Sequence, residues 1–248
     1  MATPPPAAAR TAVVLAAGFG SRLEGVSDET ALKPLTPVAG VPLLKRTLGS
    51  LDRAGCDRIV LVVGHGADDV EQAARALYDG PAELRFAVNP RYDLANGVSV
   101  LAAQPYVDGP FLLTMADHVF GDEVMELARD HIPPADGATL LVDRNVAGVF
   151  DLDDATKVRT DGTRLVAVGK QLDTYDCIDT GLFVCTPALF DALQAVYDER
   201  GDASLSDGVQ HFAATDRMRV LDIGDGFWQD VDTPEMLAEA ERQLAERA

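Results

Sequence analysis

The residues 15–23, LAAGFGSRL, hold the first candidate chemistry. Gly18 and Gly20 allow the backbone to bend closely around a ligand, so that amide N–H groups beside Leu15, Ala16, Ala17 and Ser21 can face an anion. Arg22 and, further on, Lys33 supply the cations that such a bend needs. G-x-G alone is a weak signal: Leu23 replaces the third glycine of a dinucleotide fingerprint, and no Walker-type loop is present.

Asp117 follows the apolar run of LLTMADHVF. A carboxylate at the carboxyl end of a central strand is costly to bury without a cation, and Mg2+ shared with phosphate oxygens would satisfy it. The competing reading is a cap on the next turn. Asp230 and Asp232 stand two residues apart in WQDVDTPEM, so on a strand they share a face and could approach one ion together with Asp117. If the strand ends early, one of them caps the helix that follows. Mn2+ remains an alternative to Mg2+. The histidines at 65, 118, 131 and 211 lack the spacing of a metal site, although His118 adjoins Asp117 and could shape a pocket.

These residues need a scaffold that gathers strand ends. Apolar strand-like runs at 12–16, 58–63, 84–88 and 111–115 alternate with helical patterns at 43–54, 68–78, 98–103 and after Gly121. That rhythm predicts βαβ units: a doubly wound α/β core, Rossmann-like, with a mainly parallel sheet. Ligands in such sheets bind beyond the carboxyl ends of the strands, where strand order reverses. From residue 137 short strands crowd together (138–142, 156–159, 165–168, 178–185), with a hairpin signal at Asp161-Gly162, predicting a β-rich insertion that walls the pocket. Helices at 188–197 and 205–214 and a strand at 218–223 follow. Thr233 then reads as the N-cap of a last helix with Pro234 at its first position. The expected organisation is a disordered leader over 1–10 and a single domain over 11–248, with a nucleotide-binding half (11–136) and an acceptor-binding half (137–248).

The net charge of −19 argues against a nucleic-acid partner, whose affinity comes from a basic surface. An anionic substrate would need local cations to outweigh that field. No apolar run approaches the roughly 20 residues that span a bilayer, so no membrane insertion is expected. Cys56, Cys177 and Cys185 lack a CxxC pair and read as buried thiols of a cytoplasmic protein.

The combination of LAAGFGSRL with Lys33-Pro34-Leu35 and then Val41-Pro42-Leu43-Leu44 resembles the sugar-phosphate nucleotidyltransferase superfamily. The resemblance implies that the glycine bend wraps a nucleoside triphosphate, that Arg22 and Lys33 contact its phosphates, and that Asp232, with Asp230 beside it, joins Asp117 as a metal ligand. ADHVF, GKQLDTYDCIDTGLFVC and FWQDVDTPE are similar to CTP:inositol-1-phosphate cytidylyltransferases. This implies CMP transfer to myo-inositol 1-phosphate, giving CDP-inositol and pyrophosphate, with a separate membrane transferase using the product. In the run NPRYDLANGVSVL, Asn89, Asn96, Gly97 and Ser99 are the expected base contacts. Lys170 and Asp179 match positions expected near the acceptor's phosphate and hydroxyls, a salt bridge between them being the competing reading. Phosphocholine, another phospho-alcohol or a sugar 1-phosphate remain open as acceptors, and a homodimer remains open. A regulatory module that binds nucleotide without turnover is the non-enzyme alternative.

Overall fold

The computed structural model of the chain describes residues 8–18 and 32–247. Gly20, Ser21, Arg22 and the first seven residues of the expected leader lie outside them. Within the rest of that leader the expectation of disorder needs correction. Ala9 is buried, and the carbonyl of Arg10 accepts from the amides of Asp57 and Arg58 while its guanidinium pairs with Asp57.

The first strand, β1 (Thr11–Ala16), is buried at every position, as a central strand with both faces covered must be. The hairpin of β2 (Pro37–Val38) and β3 (Val41–Pro42) turns through Ala39 and Gly40, both at positive φ, into α1 (Leu43–Arg53). Then follow β4 (Arg58–Val63), α2 (Ala67–Leu77), β5 (Glu83–Val88), α3 (Asn96–Ala102), β6 (Phe111–Met115), β7 (His118–Phe120) and α4 (Asp122–Asp130). The second half comprises β8 (Ala138–Asp143), β9 (Lys157–Asp161), β10 (Arg164–Gly169), β11 (Cys177–Cys185), α5 (Ala188–Arg200), α6 (Leu205–Ala214), β12 (Met218–Asp222), β13 (Trp228–Asp230) and α7 (Pro234–Glu246).

Among the described residues nine strands form one sheet in the order β5-β4-β1-β6-β11-β8-β12-β10-β9. The run β5-β4-β1-β6 is parallel. β11 enters antiparallel to both β6 and β8, and β12 lies parallel to β8, so the sheet as a whole is mixed. The strand-rich second half is therefore less an insertion than a continuation of the same sheet, ending in the β9–β10 hairpin through Gly162 at positive φ. The cavity wall on that side is the connection 143–156 together with the start of β11.

α3, α5 and α6 pack on one face of the sheet, and α1 and α4 on the other, giving two buried apolar layers. A third, smaller cluster of Val38, Leu43, Val119, Phe227, Val231 and Ala240 seats α7 beside the hairpin of β2 and β3. The three cysteines lie in these layers as free thiols; burial pushes Cys56 and Cys177 up to about 12, which fits packing residues. No helix among the described residues is long and apolar enough to cross a membrane.

Candidate active site

Strand order reverses between β1 and β6: the chain winds from β1 outward through β4 and β5, then crosses back to place β6 on the other side of β1. Leu15 pairs with Met115, and the amide of Ala116 donates to the carbonyl of Leu15 at 3.0 Å. This register sets Gly18 and Asp117 just beyond the ends of neighbouring strands. Leu15, Ala16 and Ala17 are buried, whereas Gly18 is exposed and a Cβ there would meet nothing within 4 Å among the described residues.

A two-stranded ribbon completes the site. β13 pairs antiparallel with β7, matching Asp230 to His118, Gln229 to Val119 and Trp228 to Phe120, and the amide of Val231 donates to the carbonyl of Asp117 at 2.9 Å. Each ribbon strand is three residues long, too short to display a period of two, so the sequence gives no strand signal for either. The strand ends at Asp230, so Asp232 lies in the turn before α7. The helix cap is nonetheless Thr233, whose hydroxyl accepts from the amide of Met236 at 3.2 Å. Asp232 turns inward, where its carboxylate accepts from Lys33.

Lys33, in the 3-10 turn Lys33–Leu35, places its ammonium between Asp117 and Asp232 and hydrogen-bonds a carboxylate oxygen of each. The three side chains are only 13%, 23% and 15% exposed, so these charges interact in a poorly solvated setting. Burial alone would drive the lysine towards neutrality, but the two carboxylates outweigh it and raise the pKa of Lys33. Burial likewise pushes Asp117 up, yet Lys33 and His118 overcome it and hold the carboxyl well below its ordinary range. Asp230 has its pKa raised, by burial first and then by repulsion from Asp232 and Asp117 against the opposing pull of His118; its carboxylate accepts from Gln229 Nε2 at 3.2 Å. Among the described residues no three carboxylate, imidazole or thiol groups form a cluster able to hold a metal ion. Asp117 and Asp232 do converge, and Asp230 stands beside them without joining.

The two carboxylates open onto a cavity of about 550 Å³ that also exposes Asn96, Lys170 and Asp179. The amide of Gly181 donates to Asp179 Oδ1 at 2.8 Å, and burial pushes the Asp179 carboxyl up to about 6. Lys170 donates to Asp154 at 2.6 Å, so the competing reading, a Lys170–Asp179 bridge, gives way to these two separate contacts. Sequence reasoning passed over Asp154, and also Asp143, whose Oδ2 accepts from Trp228 Nε1 at 2.8 Å on the same cavity wall. Both sit in or beside the turn-rich connection 143–156, which carries no periodic pattern.

In the segment 89–99 the expected base contacts take different places in the fold. Asn89 Nδ2 donates to Ser99 Oγ at 2.9 Å and Asn89 Oδ1 accepts from the amide of Arg91 at 2.8 Å, with the two residues 2% and 6% exposed. These side chains hold the bend from β5 to α3 from inside the protein. Gly97 lets α3 approach the α5–α6 connection, since a Cβ there would lie 2.5 Å from the carbonyl oxygen of Ala203. Of the expected base contacts, Asn96 faces the cavity, with its Oδ1 accepting from the amide of Leu205 at 2.9 Å.

Comparison with known proteins shows the family. The sequence matches the MobA-like NTP transferase domain over residues 12–215. It is 33% identical over 237 residues to the bifunctional IPC transferase and DIPP synthase of Archaeoglobus fulgidus, covering 96% of this chain and 44% of the relative. With the protein of the same description from Rubrobacter xylanophilus it shares 36% identity over 240 residues, covering 94% and 51%. The chain thus spans about half the length of these curated relatives. The solved structure of the inositol-1-phosphate CTP transferase from T. maritima superposes with a TM-score of 0.81 at 29% identity, covering 95% of this chain and 98% of that one. With its glycine bend and converging carboxylates at the strand switch, and with that match across most of its length, the chain belongs to the MobA-like NTP transferase domain family and is a nucleotidyltransferase.

Proposed function

We propose that the chain transfers CMP from CTP to myo-inositol 1-phosphate, giving CDP-inositol and pyrophosphate. The observation that carries this reading is the convergence of Asp117 and Asp232 on one cationic point beside the glycine bend, in a cavity that also presents Lys170 and Asp179. The names of the relatives and of the T. maritima structure support the choice of CTP and of an inositol phosphate.

Two hard carboxylate oxygens aimed at a single point suit Mg2+, with Mn2+ as a substitute. Held there, such an ion would neutralise phosphate charge and orient the α-phosphoryl group. The protein's own groups do the rest. The acceptor phosphate is largely dianionic at neutral pH, because its second pKa is about 6, so no general base is required. One of its oxygens attacks the α-phosphorus in line, the bond from that phosphorus to the β-bridging oxygen breaks, and pyrophosphate departs. Lys33, with Arg22 from outside the described residues, is assigned to the triphosphate. Lys170 leaves Asp154 for the acceptor phosphate, and Asp179 accepts from ring hydroxyls. A preformed arrangement of these charges supplies catalysis by alignment and electrostatic stabilisation.

The half-exposed Phe150 and the ring of Trp228, set among carboxylates at the cavity, also suit an ammonium-bearing phospho-alcohol. Pyrophosphate release from the four NTPs with inositol 1-phosphate, phosphocholine and glucose 1-phosphate decides between them. CTP with inositol 1-phosphate is expected to lead by at least tenfold; a stronger rate with another pair overturns the assignment, and nucleotide binding without release in any pair makes the chain a binding module.

A further inference from the structure

Among the described residues His118 is the histidine that lines the cavity. Its side chain is 10% exposed, it lies in register with Asp230 across the ribbon, and its ring stacks on Phe120 with centroids 5.9 Å apart. Nδ1 meets Asp117 Oδ1 at 2.5 Å, while the other oxygen of the same carboxylate engages Lys33. An ionised carboxylate only accepts hydrogen bonds, so Nδ1 carries the proton and donates. The two oxygens of Asp117 are thereby assigned different tasks: Oδ1 is tethered to the protein and Oδ2 faces the cation.

The seat of the ring is built on the opposite strand. A Cβ on Gly181 would stand 2.3 Å from His118 Nε2 and 2.8 Å from Met115 Cε, and Gly181 adopts φ +75, a conformation that glycine tolerates. This glycine falls where the register of β11 against β8 shifts between Asp179 and Phe183. The irregularity opens the slot into which the imidazole fits.

We propose that His118 is a positioning residue, which through its Nδ1–H fixes the rotation of the Asp117 carboxylate so that Oδ2 points at the position shared with Asp232. This rests on the cation-binding part of the proposed function and not on the identity of the acceptor. Hydrogen-bond partners that orient a ligating carboxylate typically change metal affinity or activity about 10- to 100-fold when removed.

The test separates position from mere presence of a polar group. In asparagine, Nδ2 hangs from Cγ as Nδ1 does in histidine, whereas glutamine carries its amide one carbon further out. His118→Asn, His118→Gln and His118→Ala are compared for Mn2+ binding by electron paramagnetic resonance in the presence of CTP, and for kcat and both KM values with Mg2+. We expect His118→Ala and His118→Gln to lose about 10- to 100-fold in Mn2+ affinity and in kcat, with the acceptor KM within about twofold, and His118→Asn to recover to within about threefold of the parent. Equal impairment of the asparagine and glutamine variants at equal thermal stability overturns the proposal, as does Mn2+ affinity within twofold of the parent in His118→Ala. If the parent itself binds no Mn2+ with CTP present, the metal reading fails and the proposal with it; an unaffected alanine variant in a parent that does bind sinks only the role of His118.

Discussion

Replacing Lys33 with methionine removes the cation that keeps Asp117 and Asp232 together. All three side chains are less than a quarter exposed, so the two carboxylates would face one position with little water to screen them. Deleting one partner of a buried ion pair costs about 3–5 kcal/mol, because the remaining charge is left uncompensated. For a chain of this length that corresponds to a fall in melting temperature of roughly 6–20 °C. The same reasoning makes a divalent ion a substitute for the lost ammonium. Mg2+ at a hundredfold excess over its dissociation constant would return about 2.7 kcal/mol to the variant. The parent should gain far less, since the ion must first displace Lys33. Urea unfolding of parent and Lys33→Met, each in EDTA and in Mg2+ without nucleotide, measures all four quantities. A variant within 1 kcal/mol of the parent in EDTA, or equal stabilisation of both proteins by Mg2+, would refute the idea that lysine and metal compete for one place.

Asp117→Ala should lower turnover below about a thousandth of the parent while retaining the far-ultraviolet circular dichroism spectrum, because Lys33 keeps Asp232 as its partner; activity within tenfold of the parent removes Asp117 from the site. Asp179 has a folded pKa raised from 3.8 to about 6. The folded protein therefore binds the proton more tightly than the unfolded chain, and stability falls as pH rises through that window. Asp179→Asn escapes this penalty and should be up to about 3 kcal/mol more stable at pH 7.5, the advantage vanishing below about pH 4, while its acceptor KM rises. Urea unfolding at the two pH values checks it, and a destabilised variant at pH 7.5 contradicts it. Lys170→Ala should raise the acceptor KM and leave that for CTP unchanged, at a stability cost under about 1 kcal/mol, because its pair with Asp154 is 49% and 36% exposed. A change in the CTP KM alone would move Lys170 to the nucleotide side.

Much of the scaffold can be read from local pattern. TAVVLA, RIVLVV and FLLTM announce buried parallel strands because both faces of a central strand must be apolar, and Thr233-Pro234 announces the start of α7 because cap and first-turn chemistry are local. What local pattern lacks is partners. Nothing within CIDTGLFVC says that β11 will run antiparallel between β6 and β8, since strand direction is decided by neighbours far away in the chain. The candidate site divides in the same way. The family resemblance picks out Lys33, Asp117 and Asp232 as residue types at suitable places, but the reason they meet is the ribbon of β7 and β13, which is too short for any periodicity. Asn89 and Ser99 show the converse, since polar side chains beyond a strand end suit a ligand or a neighbouring turn equally well in sequence, and here the turn holds both.

The ribbon has an implication for when the protein becomes competent. Asp117 and Asp232 are both bound to Lys33, from positions 84 and 199 residues away along the chain. A polypeptide leaving the ribosome can form β1, β4, β5 and β6 early, yet it cannot bring the second carboxylate into place until β13 and Asp232 have emerged. Nascent molecules that stop short of β13 would carry Lys33 and Asp117 with one acidic group in place of two, which ties competence to the arrival of that short strand.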